Sequence, residues 1–284
     1  MQKATNIKTI SILGCGWLGL PLGAYLVEKG YQVKGSVTNK AKGAELEAAG
    51  IKPYVIRLNP SPEGDSLDAF LDSDLVIISI PPKFREHQML TWHAEQVKYV
   101  KEAVERLPID KVIYISSTAV YPDTNGIVNE NSSTSQADNA KSILLAEELL
   151  RINTPFDTTI LRCGGLMGYD RMLCKYLAGK KGIETGDLPV NYIHRDDVIG
   201  IIEQVILQDK WNTVLNAVAP EHPSREALCI KQSEEFGYEM PEFEKPRRLP
   251  DHKTVSGQKL KDKLGYEFKY PNPLTFAYSS PKVY

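Results

Sequence analysis

The chain has 284 residues, 42% apolar and 25% charged, with a formal net charge of −2. That balance excludes a disordered chain and gives no overall attraction to nucleic acid or to an anionic membrane surface. No apolar run is long enough to span a bilayer, and the first residues lack the apolar core of a secretion signal. Four cysteines, Cys15, Cys163, Cys174 and Cys229, form no C-x-x-C pair, which predicts a reduced, cytoplasmic protein without a metal centre.

The first predicted strand is the apolar run Ile7 to Leu13, and a helix with Leu18, Leu22, Leu26 and Val27 on one face follows, stopping at Gly30. Between them lies Gly14-Cys15-Gly16-Trp17-Leu18-Gly19, the G-x-G-x-x-G spacing. In that setting Gly14 permits a tight turn, Gly16 admits a pyrophosphate to the backbone, and Gly19 lets helix and strand pack closely. The helix N-terminus offers N–H groups and the positive dipole end to the anion. A ligand-free glycine turn is the alternative reading. Cys15 is either a thiol activated by the dipole or a residue chosen for its size.

A second strand is predicted over 31–37. Its end carries Thr38, Asn39 and Lys40 and no carboxylate, which favours the 2′-phosphate of NADP over the free ribose hydroxyl of NAD. A helix over 41–49, a strand over 53–58 and a short helix over 66–71 come next. Leu75 to Ile80 is a continuous apolar run, the pattern of a central parallel strand, and its end at Ile80-Pro81 borders the expected cofactor crevice. The polar loop Lys83 to Gln88 is read as a lid or as plain surface. An amphipathic helix over 92–107 and a strand over 111–116 complete a doubly wound α/β parallel sheet of the Rossmann type.

At Ile115-Ser116-Ser117-Thr118-Ala119-Val120-Tyr121-Pro122 the chain resembles the S-S-x-x-V-Y-G segment of extended short-chain dehydrogenases/reductases, the NAD-dependent epimerase/dehydratase family. Thr159 to Gly168 resembles that family's L-R-x-x-x-x-Y-G segment, and Val190 to Val198 its V-x-F-I-H-V-D-D-V segment. Val214 to Val218 and the tail from Lys253 to Phe268 also follow the family order. The resemblance implies a seven-strand Rossmann domain over 1–165, with 192–218 returning to it, and a small substrate lobe over 166–191 and 219–284. It implies cofactor contacts from Gly14 to Gly19, Thr38 to Lys40, Ile80, Pro81, Ser116 and Cys163. Ser117 takes the place that orients a substrate oxygen. Thr118, Tyr121, Arg171, His194 and Arg248 are its candidates for touching substrate.

The resemblance departs from the usual pattern at two points: Gly14 to Gly19 is closer to the G-C-G-x-L-G form of the superfamily's atypical members than to G-x-x-G-x-x-G, and the catalytic pair is missing. The family's general acid/base is a Tyr followed four residues later by a Lys; matching Ala146-Glu147 to its usual A-E puts Asn139 and Ile143 there. Neither side chain transfers a proton near neutral pH. Tyr121, Tyr169, Tyr192 and His194 are the alternatives for that role. Adjacent Asp196 and Asp197 read as first-turn helix residues rather than a paired acid/base. In the lobe, a helix is expected over 170–177, another from the Ser224 cap through Phe236 to a stop at Gly237, and an extended stretch over 241–250. The functional expectation is an oxidoreductase or epimerase using NADP or NAD on a sugar or sugar nucleotide. The competing expectations are a non-catalytic cofactor sensor or partner-binding module, and a hydroxyacid dehydrogenase.

Overall fold

A computed structural model describes residues 6–82 and 91–279. The expected loop over 83–88 lies outside the described residues. In chain order the elements are β1 (Thr9–Leu13), α1 (Gly19–Glu28), β2 (Gln32–Val37), α2 (Gly43–Ala48), β3 (Lys52–Leu58), β4 (Pro62–Gly64), α3 (Leu67–Leu71), β5 (Leu75–Ile78), α4 (Trp92–Glu105), β6 (Lys111–Ser117), β7 (Gly126–Val128), α5 (Asp138–Leu149), β8 (Asp157–Cys163), β9 (Gly165–Met167), α6 (Cys174–Leu177), β10 (Tyr192–His194), α7 (Arg195–Leu207), β11 (Thr213–Ala217), α8 (Arg225–Phe236), β12 (Lys253–Val255) and α9 (Gln258–Leu264).

The main sheet runs β11-β8-β6-β5-β1-β2-β3-β4. β1 pairs in parallel with β2 and β5, β2 with β3, and β5 with β6, so the chain is wound outwards in both directions from β1. This is the doubly wound Rossmann sheet. It has one more strand than expected: β4 adds an antiparallel edge to β3, pairing Glu63 with Arg57. Three residues bounded by Ser61-Pro62 and Gly64 are too few to show a periodicity in sequence. β5 is buried at every residue, as a strand covered on both faces must be.

The chain divides into two compact units. The larger comprises 1–120, 134–162 and 202–214. Its core joins Leu13, Val76 and Ile78 from the sheet to Val97, Val100 and Val104 of α4 and Ala146 of α5. Each fully buried aliphatic side chain there contributes about 1.5–3 kcal/mol. The smaller unit comprises 121–133, 163–201 and 215–284, so its boundaries differ from those expected at 121–133, 163–165, 192–201 and 215–218. Long-range pairing explains the difference. β7 pairs with β12, Lys253 Nζ donates to the Tyr121 carbonyl at 2.7 Å, and β10 pairs with β9.

Two local readings hold in the smaller unit and one does not. The Ser224 hydroxyl accepts from Ala227 N–H at 3.1 Å to open α8, and Gly237 closes it in the left-handed region at φ +71°. The helix expected over 170–177 shortens to Cys174–Leu177. Before it, Gly168 and Arg171 bridge each other in a hairpin whose Tyr169 takes φ +52°. The aromatic packing described below holds that turn.

The larger unit buries one histidine network. His93 Nε2 lies 2.8 Å from the Tyr114 hydroxyl, and Nδ1 lies 3.4 Å from Gln96 Oε1, whose amide donates to the Leu58 carbonyl. Burial pushes the His93 imidazole down to about 4, against a weaker opposing bond from Gln96. The unfolded chain therefore binds a proton first. His93 supports the fold fully above pH 6.5, and this support is lost as pH falls towards 4, a change of about 3 kcal/mol at most. Urea unfolding at pH 7.5 and 4.5 should show that loss, and His93→Gln should flatten it. An unchanged slope in the variant would refute the assignment.

Candidate cofactor and substrate sites

The glycine turn sits where β1 ends. Gly14 adopts φ +104°, and a Cβ on it would stand 2.8 Å from the Ser79 carbonyl oxygen and 3.2 Å from Ile80 Cγ2, at the carboxyl end of β5. Gly19 is equally constrained, because its Cβ would overlap the carbonyl oxygen of Gly14. At Gly16, which is exposed, nothing beyond its two chain neighbours lies within 4 Å of a Cβ position. The helix behind the turn starts without a side-chain cap. Two of these glycines are therefore required by the protein's own packing. The third leaves open space beside an uncapped helix N-terminus, where a phosphate has backbone N–H groups to meet. The residues present fit a dinucleotide pyrophosphate.

Ser36 locks this turn and was not singled out in sequence. Its hydroxyl accepts from Gly14 N–H at 2.9 Å and its carbonyl from Cys15 N–H at 2.8 Å. Cys15 is buried, and burial pushes its thiol up to about 12, against a weaker backbone bond at Ser36. It is neutral at physiological pH, so of the two readings for Cys15 the small packed residue stands and the activated thiol falls. Cys163 is likewise buried, with its thiol pushed up to about 12. Trp17 is half-buried beside Gly16, and Leu18 is buried under the turn.

Thr38, Asn39 and Lys40 are exposed at the end of β2. The fold adds a residue there: Arg57 Nε donates to the Thr38 carbonyl at 2.8 Å. β2 and β3 are in register at Val37 and Val55, so Asn39 and Arg57 are each two residues further on. The arginine is therefore legible only once the two strands are known to be neighbours.

At the end of β6, Ser117 Oγ accepts from Ala119 N–H at 3.1 Å and keeps its own proton to donate. Thr118 is buried beside it. The Ser116 hydroxyl donates to Glu147 Oε1 at 2.5 Å. Glu147 is in turn gripped by Arg162, with Nη2 to Oε2 at 2.6 Å and Nε to Oε1 at 3.0 Å. Both members of this pair are almost wholly buried. Ser116 is thus engaged in a buried ionic trio. On α5, Asn139 is exposed with its amide oxygen accepting from Ala140 N–H, and Ile143 is buried.

In the smaller unit, Tyr121 is buried and its hydroxyl donates to Asn216 at 2.8 Å. That corrects the expectation of a substrate contact: this tyrosine is a packing and tethering residue. His194 is wholly buried, its ring 3.9 Å from that of Tyr270 and packed against Tyr169 and Phe276. Its Nδ1 accepts from Asp196 N–H at 3.2 Å, and burial pulls its pKa down. A neutral histidine held in this way fixes the lobe, which removes it from the substrate candidates. Asp196 accepts from the Tyr169 hydroxyl at 2.9 Å and pairs with Lys269. Burial and that carboxylate both raise the Tyr169 phenol, so it makes a poor proton donor. Asp197 turns elsewhere, accepting from Lys269 N–H, Tyr270 N–H and the Tyr266 hydroxyl. The two aspartates are tethers on diverging faces. Arg248 is exposed and faces Asp251 at 3.4 Å. Arg171, on the hairpin, is half-buried.

Turn, sheet and uncapped helix define a dinucleotide-binding Rossmann protein, and comparison with known proteins agrees. A profile of the NAD(P)H-binding family matches residues 14–209, and the chain belongs to that family. Protein YeeZ of Escherichia coli strain K12 is 32% identical over 271 residues, covering 94% of this chain and 98% of that protein. Among solved structures, UDP-glucuronic acid 4-epimerase from Bacillus cereus, in complex with NAD, has a TM-score of 0.77 at 19% identity over 94% of both chains. A functionally unknown conserved protein from Silicibacter pomeroyi has a TM-score of 0.75 at 22% identity, covering 95% of this chain and 96% of that one. The fold is that of the short-chain dehydrogenase/reductase and sugar-nucleotide epimerase structures. Among the described residues no helix is long and apolar enough to cross a membrane.

Proposed function

We propose that the protein is a cytoplasmic, NADP-preferring oxidoreductase or epimerase acting on a sugar or sugar nucleotide. The observation that carries this reading is Ser117. It presents a hydroxyl proton at the carboxyl end of a central parallel strand, the edge at which ligands bind in such sheets. Nicotinamide, when bound, supplies or accepts the hydride. The N–H groups ahead of α1 hold the pyrophosphate, and Arg57, Lys40, Thr38 and Asn39 receive the 2′-phosphate. Ser117 donates to the substrate oxygen and fixes its position. Asn139 and Ile143 supply neither a proton nor a cation, so the proton donor differs from the family's usual tyrosine. Structures of similar fold carry UDP-glucuronic acid with NAD, which supports a sugar-nucleotide substrate.

The test is calorimetric titration of NADPH and NADH, followed by a hydride-transfer screen over UDP-glucose and UDP-glucuronic acid. Arg57→Ala should weaken NADPH about 10- to 100-fold and leave NADH unchanged, the size of a lost charge-assisted contact. Ser117→Ala should cut turnover without changing NADPH affinity. Tight NADPH binding with no turnover on any sugar nucleotide would instead favour the non-catalytic sensor.

A further inference from the structure

Asn125 is the one asparagine of this sequence that is followed by glycine, and it stands in the smaller unit just ahead of β7. It is exposed, yet both ends of its side-chain amide are engaged. Its Oδ1 accepts from His252 N–H at 3.0 Å, and its Nδ2 donates to Asp251 Oδ1 at 2.9 Å. Its own N–H donates to the His252 carbonyl at 2.7 Å. Three hydrogen bonds thus clamp one residue to a pair 126 and 127 positions further along the chain. The backbone takes φ +56°, in the left-handed region that asparagine enters more readily than most residues.

The clamp closes one end of a seam. β7 follows it at once, with Gly126 opposite Lys253 and Val128 opposite Val255, and Ser256 N–H donates to the Val128 carbonyl at 2.9 Å. Lys253 Nζ ties the same seam to the Tyr121 carbonyl at 2.7 Å and to Asp123 Oδ1 at 3.0 Å. Asp251 faces the neutral amide of Asn125 on one side and Arg248 Nη2, at 3.4 Å, on the other. The main chain after Asn125 is open. A Cβ on Gly126 would meet, beyond its two chain neighbours, only the carbonyl and hydroxyl oxygens of Thr124, both at 3.9 Å.

We propose that Asn125 is a site of spontaneous deamidation, held back by its bonds to Asp251 and His252. The Gly126 backbone nitrogen attacks Asn125 Cγ. The new N–Cγ bond closes a cyclic imide, the Cγ–Nδ2 bond breaks, and ammonia leaves with the Gly126 amide proton. Water then opens the imide at either carbonyl, which gives an aspartate or an isoaspartate. No oxidant or reductant takes part. Glycine leaves the attacking nitrogen unscreened by a side chain. Attack comes from above the plane of the side-chain amide, so that plane must turn away from the geometry that now serves His252 and Asp251. The product cannot rebuild the clamp, because the group facing Asp251 changes from an N–H donor to a carboxylate oxygen that only accepts. Arg248 is exposed, and a solvated arginine does little to hold two carboxylates together. An isoaspartate also lengthens the main chain ahead of β7 and shifts its pairing with β12. The reaction therefore runs once and releases the seam. It lies wholly within the smaller unit, so it stands whether or not the nucleotide reading holds.

The test incubates the full chain at pH 7.4 and 37 °C. Conversion is followed by isoelectric focusing and by mass spectrometry of the peptide that contains Asn125, and isoaspartyl methyltransferase marks the isoaspartate. Asn125 should convert before any other asparagine. Asp251→Ala should speed the conversion about 2- to 10-fold, the size of one lost hydrogen bond, and unfolding in urea should speed it further. Gly126→Ala, for which the structure has room, should slow it by about 10-fold. Asp251 and Gly126 are exposed, so both variants should keep the parent's circular dichroism. Asn125→Asp, made directly, should speed amide hydrogen exchange at His252 and Ser256 several-fold. An amide still intact at Asn125 after another asparagine has reacted overturns the proposal, as does a rate that Asp251→Ala leaves unchanged. Unchanged exchange in Asn125→Asp overturns the release of the seam.

Discussion

Gly16→Ala should leave the fold intact and weaken NADPH by about 100-fold, whereas Gly19→Ala should destabilise the fold and lose NADPH binding. At Gly16 no atom beyond its two chain neighbours lies within 4 Å of the new methyl, so stability should stay within about 0.5 kcal/mol of the parent. The methyl would occupy the space through which a phosphate approaches the main chain. At Gly19 it would meet the Gly14 carbonyl oxygen, with Gly14 C at 3.0 Å and Ile12 Cγ2 at 3.4 Å. Main chain lies on both sides of that clash, so only opening the turn relieves it. The expected cost is about 1–3 kcal/mol or more, with NADPH binding lost because the turn is displaced. Thermal melting and calorimetric titration of the two variants separate these outcomes. A Gly16→Ala protein that binds NADPH like the parent would remove the pyrophosphate from this turn.

Arg162→Met should be the most destabilising single change away from the turn. It would leave the Glu147 carboxylate buried with only the Ser116 hydroxyl, where Arg162 now makes contacts of 2.6 to 3.2 Å. Stranding one member of a buried ion pair costs about 3–5 kcal/mol. Pairing Arg162→Met with Glu147→Leu should recover most of that loss, because the desolvation penalty then disappears with the charge. Urea unfolding of the single and double variants gives both numbers. A single variant within about 1 kcal/mol of the parent would show that water reaches the carboxylate.

Local chemistry made several elements legible without coordinates. The strand, glycine turn and helix from Thr9 to Glu28 follow from an apolar run, three glycines and a helical apolar face. α8 follows from a serine cap and a glycine stop. The hairpin at Gly168–Arg171 was hidden because its cause is distant: Tyr169 packs on His194, and its hydroxyl bonds to Asp196. Arg57 was hidden for a similar reason, since its neighbour Thr38 lies on another strand. Nothing around Glu147 or Arg162 announces that the two meet, because α5 and β8 must first pack together.

Residue order alone determined that this chain would build a wound parallel sheet with a glycine turn ahead of its first helix. Those features depend on steric and hydrogen-bond rules that act over a few residues. The tertiary structure alone decided which candidate side chains remain available to a ligand. It turned Tyr121 and His194 inward, left Arg248 to solvent, and brought Arg57 to Thr38. Availability depends on burial and on partners far along the chain, and both exist only once the strands and helices have packed.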